Sequence, residues 1–83
     1  MSAVRKRSVT IRGHRTSYSL ENAFQDELER IASMRSIALA TLIAEIDGAR
    51  PRDTNLSSAL RLFVLDTLRK ERPVSVGTAG APE

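Results

Sequence analysis

Val9 and Ile11 stand at odd positions before Gly13, whereas Tyr18 and Leu20 stand at even positions after it. Side chains in a strand alternate between two faces with a period of two, so one unbroken strand would send these pairs to opposite sides. The segment VTIRGHRTSYSLENAF therefore needs a break near Gly13 if its apolar residues are to share a core. A two-residue hairpin loop at Gly13-His14, with glycine at the first position of a type II′ turn, is one solution. It sets Arg12 opposite Arg15, Ile11 opposite Thr16, Thr10 opposite Ser17 and Val9 opposite Tyr18. A β-bulge at Gly13 in one long strand is the other; the hairpin is preferred. Both collect Val9, Ile11, Thr16, Tyr18 and Leu20 on one face. The opposite face holds Ser8, Thr10, Arg12, Arg15, Ser17 and Ser19.

That second face has the chemistry to read DNA. Arginine bonds guanine O6 and N7 in bidentate fashion, serine and threonine hydroxyls donate to or accept from base edges, and a two-stranded ribbon fits the major groove. Arg12 facing Arg15 is a repulsive pair unless something anionic lies against it. On composition alone, an ordinary solvated face with tolerated Ser and Thr has equal weight. Charge distribution favours a polyanion: Arg5, Lys6, Arg7, Arg12 and Arg15 fall within the first fifteen residues, which hold no acid, while the whole chain carries only +3. Nucleic acid comes first among such partners and an anionic membrane second.

With 83 residues there is room for one domain, and a domain of this size is marginal alone. The chain has no cysteine and one histidine, so neither a disulfide nor a thiolate metal site can brace it, and no metal or cofactor is expected. Oligomerisation is the expected remedy. No apolar run approaches the roughly 20 residues of a membrane span, and no apolar signal core follows the basic start; the expected location is the cytoplasm.

Three regions are expected: a flexible basic arm over 1–7, a folded domain over 8–72, and a disordered tail over 73–83. Within the domain the β-segment runs to residue 20. A first helix spans about 22–34 on the stripe Phe24, Leu28 and Ile31, with Glu21 suited to its positive end. A second spans about 39–47 and is apolar almost all round, with Gly48 as its terminator. Such a helix needs cover on most sides, which points to a dimer. Thr54 or Asn55 then caps a third helix of about 56–72, whose stripe is Leu56, Leu60, Phe63, Val64 and Leu68.

The order strand, helix, short turn, helix in RTSYSLENAFQDELERIASMRSIALATLIAEI resembles the ribbon-helix-helix (MetJ/Arc-type) DNA-binding family, over about residues 15–47. There a polar/apolar strand ends in an apolar residue directly before the first helix, as SYSL does before ENAFQDEL. KRSVTI and NLSSALRLFVLDTLR resemble the branch that adds an N-terminal strand and a third helix. The resemblance implies a mainly α fold with a short β-ribbon and an intertwined, obligate homodimer with a third C-terminal helix, whose two strands pair antiparallel and lie in the major groove of double-stranded DNA. It assigns base reading to Arg15, Ser17 and Ser19, and a phosphate to the backbone N–H groups of Leu39 and Ala40 at the start of the second helix. Ala38 departs from the usual hydroxyl cap at that point, which leaves the clamp to main chain. A four-stranded sheet is too wide for a groove about 12 Å across. Residues 9–11 are therefore expected to flank the ribbon and carry Arg5, Lys6, Arg7 and Arg12 to phosphates, with His14 as a further backbone contact.

The function expected is sequence-specific binding of double-stranded DNA as a homodimer, as a repressor. The alternative is an antitoxin-like or adaptor module that binds a protein through the third helix, although such a stripe is more often core. A helix-turn-helix built on the second and third helices leaves the β-segment unexplained. No catalytic residues are expected: His14 has no paired carboxylate spacing, and Glu45 and Asp47 at i, i+2 do not share a helix face.

Overall fold

The computed structural model describes residues 3–71. Its elements are β1 (Val4–Ile11), β2 (His14–Glu21), α1 (Asn22–Met34), α2 (Leu39–Ala49) and α3 (Leu56–Glu71). The strands form one two-stranded antiparallel sheet. The break at Gly13 is thus a hairpin and not a bulge.

Its register differs from the expected one. The pairs are Val4 with Glu21, Arg5 with Leu20, Lys6 with Ser19, Arg7 with Tyr18, Ser8 with Ser17, Val9 with Thr16, Thr10 with Arg15 and Ile11 with His14. The loop is therefore Arg12-Gly13, and His14 opens β2. Both loop residues have positive φ, 50° at Arg12 and 81° at Gly13, the type I′ signature rather than type II′. The strands are slid by two residues relative to expectation. Because the side-chain period is two, such a slip leaves both faces intact. Two residues change role: Arg12 leaves the polar face for the turn, so it does not oppose Arg15, and His14 leaves the turn for β2, opposite Ile11.

The sheet also starts earlier than Ser8. Val4–Arg7, read as part of a flexible arm, pair with Tyr18–Glu21. The expected tail over 73–83 lies outside the described residues.

The inward face of the hairpin buries Ile11, Tyr18 and Leu20 against Leu28, Ile31 and Ala32 of α1, Leu42, Ile43 and Ile46 of α2, and Leu56, Ala59, Leu60 and Val64 of α3. Leu20, Leu28, Leu42, Ile43 and Leu60 have no exposed surface, each worth roughly 1.5–3 kcal/mol of burial. Within one chain Leu42, Ile43 and Ile46 of α2 are buried, whereas Leu39, Ala40 and Ala44 are half-buried and Ala49 is exposed, so one chain covers part of this apolar helix and not all of it. The third-helix stripe is core at Leu56, Leu60 and Val64, with Phe63 and Leu68 partly buried against it.

α1 ends in a Schellman motif: the Ile37 N–H donates to Ala32 O at 3.0 Å and the Ser36 N–H to Ser33 O at 3.0 Å. Ser36 sits at the left-handed position with φ 58°. α2 does not stop at Gly48. It continues to Ala49 and ends at Arg50, whose extended backbone precedes Pro51. Asn55 caps α3, its Oδ1 accepting the Ser58 N–H at 2.8 Å.

Candidate nucleic-acid interface

Between the turn and the Val4–Glu21 pair at its base, the outward face of the hairpin presents Lys6, Ser8 and Thr10 on β1 and Arg15, Ser17 and Ser19 on β2, side by side in the register above. All are exposed except Ser19, which is half-buried. Short hydroxyl side chains occupy four of these positions and cations the other two, so the backbone can approach a groove floor while positive charge stays near phosphate.

Ser19 is half-buried because α3 holds its backbone. Its N–H donates to Ser57 Oγ at 2.9 Å, and its carbonyl accepts Arg61 Nη2 at 3.4 Å. Arg61 Nε also meets Glu21 Oε1 at 3.1 Å. The Glu21 carboxyl is held below the usual carboxylate range, first by a hydrogen bond from its own backbone N–H and then by Arg61. Neither Ser57 nor Arg61 was singled out from the sequence. Their i, i+4 spacing puts them on one polar flank of α3, but nothing local indicates that this flank meets a strand some 40 residues earlier.

Behind the ribbon lies a polar network. Tyr18 Oη donates to Gln25 Oε1 at 2.9 Å, and Gln25 Nε2 donates to Glu29 Oε2 at 3.0 Å. Burial pushes the Tyr18 phenol above its ordinary 10.0, partly offset by the Gln25 bond and the nearby Arg7. Arg7 Nη2 donates to Asn22 Oδ1 at 2.8 Å, and its buried Nε finds no acceptor among the described residues. The guanidinium therefore faces the body, at the junction of hairpin and α1.

The other cations assigned to phosphates are spread around the hairpin. Arg5 and His14 are exposed but belong to the inward-facing set, opposite Leu20 and Ile11. Arg12, at the tip, lies 3.9 Å from Asp47 Oδ2. A Cβ built on Gly48 would stand 3.0 Å from Arg12 Nη2, so the tip rests on the last turn of α2. Leu39 and Ala40 are at the opposite end of that helix, about 13 Å away along its axis. The first turn there has no side-chain cap, and the helix's bonding starts with Leu42 N–H to Ala38 O at 3.1 Å. The hairpin tip and the start of α2 are thus separate places on the surface.

Among the described residues, no group of three histidine, cysteine, aspartate or glutamate side chains could hold a metal ion, and no helix is long and apolar enough to cross a membrane.

A family model described as ribbon-helix-helix domain matches residues 4–68. That span takes in both strands and nearly all of the three helices, so the chain belongs to the ribbon-helix-helix family, a family of DNA-binding regulators. No curated protein and no solved structure matches it.

Proposed function

We propose that the protein is a homodimeric, sequence-specific binder of double-stranded DNA that acts in the cytoplasm as a transcriptional repressor, placing its β-ribbon in the major groove. The observation that carries this reading is the one-sided hairpin. Its inward face sends Ile11, Tyr18 and Leu20 into the core, and its outward face from the turn down to Lys6 and Ser19 offers hydroxyls and cations, with Val4 and Glu21 paired at its base. Arg15 and Ser17 read bases, and Ser19 does so from a strand end steadied by α3. Arg5, Lys6, Arg12 and His14 meet phosphates around the ribbon, and the N–H groups of Leu39 and Ala40 meet one at the start of α2. Arg7 joins them only by giving up Asn22.

The dimer is supported by apolar surface that one chain leaves uncovered. Leu62 is 60% exposed, and Leu65 and Met34 are exposed as well. Leu62 also lines a cleft of about 450 Å³ between α2 and α3, together with Leu42, Ile46, Ala49 and Phe63. The alternative, an adaptor that binds another protein through α3, rests on this same cleft.

Duplex binding across a salt series, together with sedimentation, separates the two readings. A repressor binds as a dimer, and its log affinity falls linearly with log salt. A monomer with no preference among duplexes would favour the adaptor.

A further inference from the structure

We infer that β1 is a phosphate-binding margin of the sheet: Ser8 and Thr10 each hold a DNA phosphate at the rim of the major groove, through the side-chain hydroxyl and the backbone N–H of the same residue. This inference rests on the dimeric DNA-binding reading above and adds a binding site on the first strand to it.

Three observations carry it. The first is the direction of the main-chain groups. The N–H and carbonyl of Ser19 are turned away from β1, towards Ser57 and Arg61, so Ser19 and its partner Lys6 form a non-hydrogen-bonded pair. Such pairs alternate along an antiparallel ladder, which makes Ser8–Ser17 and Thr10–Arg15 non-hydrogen-bonded as well. The N–H groups of Ser8 and Thr10 therefore point away from β2. The sheet has two strands, so no third strand takes them up on that edge.

The second is what surrounds those donors. Ser8 and Thr10 are exposed, and each sets a hydroxyl on the outward face beside an N–H on the edge. Two donors of one residue thus converge on the corner between face and edge, the geometry an anion takes. Arg5, Lys6 and Arg7 precede them on β1, which holds no acid. Lys6 shares their face and is exposed, so the corner is positive along its length.

The third is width. Paired strands lie about 4.8 Å apart. In a dimer whose reading strands are the two copies of β2, each β1 lies outside them, and the two outer backbones stand about 14 Å apart. The major groove is about 12 Å across. The β2 strands fit within it, and the β1 strands lie over its two rims, where the phosphates are. The groove is also about 8.5 Å deep, and a serine or threonine hydroxyl at the rim does not reach its floor. Ser8 and Thr10 are about 6.8 Å apart as same-face neighbours, too far to share one phosphate, so they take separate ones on the same DNA strand.

The test measures binding of the unmodified chain, Ser8→Ala and Thr10→Val to one duplex recovered by selection from a random pool and to a shuffled duplex of the same composition. Each phosphate of the recovered duplex is also replaced in turn by an uncharged methylphosphonate. Valine keeps the branched shape of threonine, and circular dichroism and sedimentation show that each variant keeps its fold and association state. The expected result is a roughly 10-fold loss of affinity for each variant on both duplexes, the ratio between them being kept. In each half-site, one phosphate whose replacement weakens the unmodified chain should matter less to Ser8→Ala, and a different one less to Thr10→Val. Unchanged affinity in both variants overturns the inference alone. So does a changed ratio between the duplexes, which would make these residues readers, and so does a loss that leaves the pattern of sensitive phosphates as it was. An unmodified chain that binds neither duplex overturns the DNA-binding proposal and this inference with it.

Discussion

The backbone N–H of Ser19 donates to the hydroxyl of Ser57 at 2.9 Å, which ties the outer edge of the second strand to the third helix. Ser57→Ala leaves that donor to water in a half-buried setting. The expected cost is about 1 kcal/mol of stability, seen as a lower denaturation midpoint with an unchanged slope. No loss would mean that the strand edge is held without the hydroxyl.

Leu60 of α3 has no exposed surface, and its neighbours Leu56 and Val64 lie in the same core. Leu60→Ala is expected to destabilise by about 2–5 kcal/mol. A chain cut at Gly48 should not fold, because the hairpin and α2 would lose their common cover. A cooperative thermal transition in that fragment would show that α3 is an appendage.

Ser36 takes a left-handed conformation, φ 58°, at the end of α1. Glycine occupies that position at no steric cost. Ser36→Gly is expected to stabilise the fold by about 1 kcal/mol, measured by denaturant titration, with DNA binding unchanged. Arg12 has a similar conformation, φ 50°, in a type I′ turn that favours asparagine. Arg12→Asn should therefore raise stability while weakening binding to all duplexes alike. Weakening at one base only would make Arg12 a reader rather than a phosphate contact.

Tyr18 is the only tyrosine in the chain, and burial raises its pKa above 10.0. Between the unfolded and folded values the native state holds the proton more tightly. Stability from this group is therefore complete below the unfolded value and is lost as pH rises through the folded one. Phenolate absorbance should appear at higher pH in the folded protein than in denaturant. Tyr18→Phe should remove this alkaline decline, at a cost of about 1–3 kcal/mol at neutral pH for leaving Gln25 Oε1 without its donor. Coincident titrations in the two states would refute the burial of the phenol.

The two faces of the hairpin were legible in the sequence because alternation depends only on odd and even positions. The register was not, for the same reason: a slip of two residues leaves Val9, Ile11, Tyr18 and Leu20 where they were. Turn type followed the register, since glycine suits the first loop position of one type and the second of the other. Helix order and most boundaries were visible in the apolar spacing. The end of α2 was missed because Gly48 can stop a helix but need not; here the extended Arg50 before Pro51 does so. On the candidate site, Arg15 and Ser17 were legible as exposed polar-face positions. The hold of Ser57 and Arg61 on Ser19 was not, because it joins residues some 40 positions apart.

The most direct measurement is selection of duplexes from a random pool by the purified protein at near-physiological salt. The expected result is an enriched inverted repeat, its half-sites bound by two copies of the chain and its preferences weakened by Arg15→Ala and Ser17→Ala, each by about 1–3 kcal/mol at its own base position. Recovery of duplexes with no common motif would contradict sequence reading by the ribbon and leave only the attraction of a basic hairpin for phosphate.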